Sequence, residues 1–118
     1  MISGVQSALS GLMALQKKSE ASAHNTANVN TDGYKKVRVT ISGEEPQGVT
    51  ARAETVNTPG PLVPEMTASG EMEMVEKSNV ELTEELPNQM LSRRFFQANL
   101  KTVQIHDEML GSLLDIKG

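Results

Sequence analysis

Apolar residues recur three and four apart at both ends of this chain, and that spacing constrains its fold more than any other feature. Residues so spaced share one face of an amphipathic helix. Near the N-terminus, Ile2, Val5, Leu9 and Leu12 open a heptad-like seam, with Ala8 and Leu15 beside it. The register continues through Gln16, Ser19, Ala23 and Thr26, so the seam begins large and ends small and polar. Ser3, with Gln6 three residues later, fits a capping box. Near the C-terminus, Leu86, Phe96, Leu100, Val103, Leu110 and Leu114 share a second seam, with Gln89, Arg93 and Asp107 in the same register. Glu84 and Glu85 near its start and Lys117 at its end suit the helix dipole. Such a helix over 84–116 would be about 50 Å long. Pro87 places its start near Glu84, with the proline in the first turn, or else kinks it there.

Two amphipathic helices at opposite ends of a chain are expected to pair antiparallel. Matching large to small side chains puts Ile2 and Val5 near Leu114 and Leu110, and Ser19 and Ala23 opposite Leu100 and Phe96. Gln16, Arg93 and Asp107 weaken that seam for an isolated pair and imply that other chains complete the packing. Composition agrees: hydrophobic residues are 37% of the chain and its aromatics are Tyr34, Phe95 and Phe96, below what a self-sufficient core uses.

The segment between the helices reads differently. Asn25, Asn28, Asn30, Asp32-Gly33 and Tyr34 form a turn-prone stretch that stops the first helix, because Asn, Asp and Gly tolerate left-handed backbone. Val37, Val39 and Ile41 then alternate with polar residues, the period of a strand. Residues 44–48 read as a loop and 49–56 as a weaker strand. Three prolines in 58–64 exclude a helix or a central strand there, and 66–75 reads as a short strand or a mobile segment. The expected organisation is an N-terminal helix and turn over 1–34, a β-rich middle over 35–78 and a C-terminal helix over 79–118. The first and third would form one discontinuous domain. The fold class is mainly α with a small β region: a coiled-coil-like antiparallel stalk carrying a short hairpin insertion.

The same residues exclude several functions. Cysteine is absent, so no thiol nucleophile or thiolate metal site exists. Asn28, Asn30, Asp32 and Gly33 imitate the start of a calcium loop, but Val39 stands where the bidentate glutamate belongs. His106, Asp107 and Glu108 are adjacent on one helix and do not face each other, and His24 lies far away. No catalytic residue, metal or cofactor is therefore expected, nor a small-molecule substrate. Residues 44–85 hold ten acids and two bases, against nine bases and five acids elsewhere, which argues against nucleic acid as a partner. No run is long and apolar enough for a membrane span, and no cleaved secretory signal is visible.

Two stretches carry a resemblance. Ala8-Leu9-Ser10-Gly11-Leu12 followed by 23–36, from Ala23-His24-Asn25 through Asn30-Thr31-Asp32-Gly33-Tyr34, resembles the N-terminal signature of flagellar basal-body rod and hook proteins. Ser78-Asn79-Val80 through Leu86, then Phe96-Gln97-Ala98-Asn99, then 107–114, resembles the matching C-terminal signature. Thr26 stands where isoleucine is usual, and Pro87 interrupts a stretch that is usually plain helix. The short middle resembles that of the small rod proteins. The resemblance implies an axial subunit of the basal-body rod, polymerising through its terminal helices into a channel-lined drive shaft that spans the periplasm. It implies copies of itself, other rod and hook proteins and the type III export apparatus as partners, with export lacking signal cleavage. The rival class is a helical adaptor or export chaperone that binds partner helices with the same seams.

Overall fold

The computed structural model describes residues 2–117, with side chains from Ser3 to Ile116. The order is α1 (Ile2–Ala27), β1 (Val37–Gly43), β2 (Val49–Thr55), β3 (Leu62–Met66), β4 (Met72–Glu76) and α2 (Leu82–Lys117). The helices pair antiparallel, and the molecule is drawn out to 81 × 24 × 19 Å. The mainly helical stalk with a β insertion is thus observed. The insertion is two separate antiparallel hairpins, β1–β2 and β3–β4, where one was expected. The first lies against α1; the second packs on neither helix.

Local chemistry explains the element boundaries. α1 already includes Ile2, so Ser3 lies inside the helix instead of capping it. Glu81 stands just before α2, and its carbonyl accepts from the Glu84 and Glu85 N–H groups at 3.0 Å. The helix therefore starts two residues before Glu84, and Pro87 falls in the second turn, where it removes a single hydrogen bond. Pro64 sits inside β3. Thr67 N–H donates to Glu71 O, and Lys77 N–H to Pro61 O, so the odd-numbered residues bond across this ladder. The nitrogen of Pro64 faces the outer edge, where no ladder donor is needed.

The helix–helix seam is built from small and polar side chains. Ala14 of α1 is buried beside β2, and Thr26 accepts a bond from Gln89 of α2, but the main line of α1 residues that are buried or touch α2 is Gly4, Ala8, Gly11, Leu15, Ser22 and Asn25. They recur at three and four but are rotated one residue from the seam of large apolar residues read in the sequence. A Cβ on Gly4 would come 3.1 Å from His106 Nε2, and one on Gly11 3.3 Å from Asn99 Nδ2, so α2 runs close over both glycines. Among the described residues, Ala8, Ala14, Leu15 and Val80 are the buried apolar ones, whereas Ser22, Asn25, Ser78, Glu85 and Ser92 are the buried polar ones. Specific hydrogen bonds, more than apolar area, set the register.

That register differs from the expected one. Phe96 is half-buried and shares a cleft with Leu15, Gln16 and Ser19. Ala23, its expected partner, is exposed and lies one to two turns further along α1. Matching by size fails because α2 approaches along the glycine and serine stripe, not along the row of large residues.

Candidate functional site

The residues quoted for the two terminal signatures meet where α1, β1 and α2 converge. Asn25 is 1% exposed and uses its whole carboxamide. Its Oδ1 accepts from Val37 N–H at 2.9 Å and from the Tyr34 hydroxyl at 3.0 Å. Its Nδ2 donates to Val37 O at 2.8 Å and to Glu85 Oε1 at 3.0 Å. The side chain thus behaves as a one-residue strand partner for the start of β1 while tying it to α2. Glu85, also buried, receives the Ser22 hydroxyl on Oε2 at 2.6 Å. A buried carboxylate needs such donors to offset its desolvation. Tyr34 OH lies 2.9 Å from His24 Nδ1, and the two rings stack with centroids 5.9 Å apart. Burial, and then the negative charge of Glu85, push the Tyr34 hydroxyl above its ordinary pKa.

Asn79 makes the matching lock from the other end of the chain. Lys36 N–H donates to Asn79 Oδ1 at 2.6 Å, and Asn79 Nδ2 donates to Val56 O at 2.8 Å. The carboxamide is thereby inserted into the β1–β2 ladder, where Val56 N–H still donates to Lys36 O. Gly33 turns the chain into this junction with φ 68°, a left-handed value that a side chain resists, and its N–H donates to Glu76 O at 2.9 Å. Ion pairs brace the rim: Lys36 with Glu84 at 2.6 Å, Lys77 with Asp32 at 2.7 Å and with Glu65, and Lys35 with Glu76. The bond from Lys36 holds the Glu84 carboxyl below its ordinary range, and the bond from Lys35 does the same for Glu76.

The structure places the remaining expected residues as follows. Asn28 closes the end of α1, its Nδ2 donating to His24 O at 2.8 Å; Asn30 is exposed. Val5, Leu12 and Val103 are half-buried. Leu9, Leu100, Leu110 and Leu114 are exposed, and Ser19 is exposed beside Phe96. The side chain of Ile2 lies outside the described residues. Beyond His106, which packs at Gly4, α2 runs on for about 16 Å. Ser22, Asn79 and Glu85 were not singled out as site residues, although Asn79 and Glu85 lie in the C-terminal signature. Among the described residues no cluster of His, Asp and Glu could hold a metal ion, and no helix is long and apolar enough to cross a membrane.

Comparison with known proteins agrees with this convergence of the two chain ends. Residues 6–35 match the family described as flagella basal body rod protein. Residues 71–116 match the C-terminal family of flagellar basal body rod FlgEFG proteins. The chain is 35% identical over 88 residues to the flagellar basal-body rod protein FlgG of Bacillus subtilis (strain 168). That alignment covers 75% of this chain but 31% of the relative, so the chain spans about a third of the length of the protein it matches. With both signatures matched in order, and Asn25, Tyr34, Asn79 and Glu85 drawn together by the fold, the chain belongs to the flagellar basal-body rod protein family, whose members are parts of the flagellar basal body.

Proposed function

We propose that this chain is a structural, non-enzymatic axial subunit of the rod that polymerises through the outer faces of its terminal helices. Its neighbours are copies of itself and other rod and hook proteins. It reaches its place through the type III export apparatus without signal cleavage, and its helices line the channel of the drive shaft. One observation carries the reading. The seam within the chain uses the small residues, so the large apolar ones stay outside it: Leu9, Met13, Met90, Leu91, Phe95 and Leu100 are all more than 45% exposed. The C-terminal end of α2 adds Leu110, Leu113, Leu114 and Ile116, all exposed. Contiguous exposed apolar surface on a soluble chain marks an interaction surface. The expected mid-seam need for other chains points the same way.

The double variant Leu110→Asp with Leu114→Asp tests it. Both residues lie beyond His106, whose ring packs at Gly4, and both are exposed, so the helical content of the chain should persist. The variant should be exported, be missing from isolated basal bodies and abolish swimming. Normal incorporation and swimming would overturn the proposal. A stable compact oligomer of the dilute parent chain would favour the adaptor or chaperone class.

A further inference from the structure

The two hairpins each leave one strand edge open, and the two edges complement each other. In the first, Lys36 O accepts from Val56 and Glu44 N–H donates to Gly48 O, so even-numbered residues of β1 bond β2. Val37, Val39 and Ile41 turn their backbone groups to the other edge. Asn25 occupies that edge at Val37. Among the described residues no hydrogen bond reaches Val39 or Ile41 there. The edge opens into a cleft of about 400 Å³ that Ala21 and Ser22 of α1 line with Glu84, Glu85 and Asn88 of α2, and that Lys18, Lys36 and Arg38 also border, Lys36 being paired with Glu84.

In the second hairpin the odd-numbered residues of β4 bond β3, so Met72 and Met74 have the free edge. Gly33 occupies it at Glu76, as Asn25 does at Val37. The register puts Met72 and Met74 on one face with Leu62 and Met66, and all four are exposed. Glu65 and Glu73 stand directly opposite each other on the other face; Lys77 pairs with Glu65, and among the described residues Glu73 has no ion pair.

We infer that β1 of one copy of this chain accepts β4 of a second copy as an added antiparallel strand. Pairing Val39 with Met74 and Ile41 with Met72 satisfies the open backbone groups on both edges. It places both methionines on the face shared with Val39 and Ile41, the face that Ala21 also borders in the cleft. It places Glu73 opposite Thr40 and diagonal to Arg38, whose guanidinium, among the described residues, otherwise meets only the exposed Glu54 at 3.9 Å. The positions next in register, Val37 and Glu76, are those already closed by Asn25 and Gly33, so the added segment has a defined length. Because β1 and β4 are different surfaces, the contact is head-to-tail and repeats without closing unless the rotation makes a ring. It uses neither outer helix face, so it stands apart from the helix-mediated polymerisation proposed above.

The chain lacks cysteine, which makes the test direct. Thr40 and Glu73 would form a non-hydrogen-bonded pair, the closer kind in an antiparallel ladder. Purified Thr40→Cys and Glu73→Cys chains are mixed at about millimolar concentration and oxidised. A control replaces Thr40→Cys with Thr50→Cys, an exposed position on β2. The expected result is a mixed disulfide dimer at least about tenfold above the control. It should persist when both chains also carry the Leu110→Asp and Leu114→Asp changes, so failure of the helix proposal would read separately. Adding Val39→Pro to the Thr40→Cys chain removes one outward N–H but no β1–β2 bond, and should return the yield to the control level. Equal yields in pair and control, or a yield indifferent to Val39→Pro in a chain of parental circular dichroism, would overturn the inference.

Discussion

Replacing Asn25 tests whether hydrogen bonds, and not apolar area, hold the junction. Asn25→Ala removes four bonds at once: two with the Val37 backbone, one from Tyr34 and one to the Glu85 carboxylate. A neutral bond contributes about 1 kcal/mol and one to a charged group about 1.5–3 kcal/mol. Val37 and Tyr34 are half-buried, so water recovers part of their loss, whereas Glu85 is buried and recovers little. The sum is about 3–5 kcal/mol, a large share of the stability of a small domain. Urea unfolding followed by circular dichroism at fixed protein concentration reads it as a lower midpoint at similar slope. Asn25→Asp, nearly the same shape, should be worse at neutral pH. It loses both donated bonds and sets a second carboxylate oxygen against Glu85 and Val37 O. Exposed Asn30→Ala should stay within about 0.5 kcal/mol of the parent. A loss below about 1 kcal/mol for Asn25→Ala, or an aspartate variant milder than the alanine one, would refute the reasoning.

Gly33→Val should lower the thermal midpoint through about 1–2 kcal/mol of left-handed backbone strain, with Gly33→Asn milder; equal midpoints would count against the turn. Gly60→Ala should cost more, because its Cβ would overlap the Lys77 carbonyl and neither backbone atom can swing away; parental stability would contradict that close approach. Phe96→Ala should cost about 1.5–2.5 kcal/mol in urea unfolding, since the ring is half-buried, and Ala23→Phe should give no rescue because the two residues do not meet. With pH the signs are opposite at the two ends. Glu84 and Glu76 titrate below their ordinary 4.5 in the folded chain, so their contribution is present above that pH and is lost as pH falls through the lowered values. Tyr34 titrates above 10.0, so its contribution is present below that pH and is lost as pH rises through the raised value. Lys36→Met should therefore flatten the acid limb of a stability–pH curve and leave the alkaline limb; an unchanged acid limb would exclude the Lys36–Glu84 bond as its source.

Helices, first hairpin and turn were legible because each obeys a local rule. The periodicity of 2–27 and 82–117, the alternation of 37–41 and the Asp32-Gly33 pair need no knowledge of distant residues. The helix register was not legible, since it follows from where Gly4 and Gly11 let α2 approach and where Ser22 and Asn25 reach Glu85. Large apolar residues dominate a periodicity reading, and here they lie mostly on the outside. Glu85 looks in sequence like a favourable charge in a first helical turn; only its burial shows it to be an acceptor for another helix. Asn79 likewise reads as a lead-in residue until its carboxamide is seen between Lys36 and Val56. The second hairpin was obscured by Pro64, which a ribbon of two edge strands tolerates.

The junction joins partners 60 and 63 residues apart in the chain, Asn25 and Ser22 with Glu85. A chain that emerges N-terminus first, whether from a ribosome or from a narrow conduit, therefore cannot close it until Glu85 is free. Until then α1 lacks the donors and acceptors that fix its far end, and a lone helix of its length is marginal in water. Closing so long a loop before any bond offsets the lost chain entropy also makes the step slow for a protein of this size. The placement of one asparagine and one glutamate thus acts as a timer, withholding the native junction until Glu85 and the start of α2 have been released.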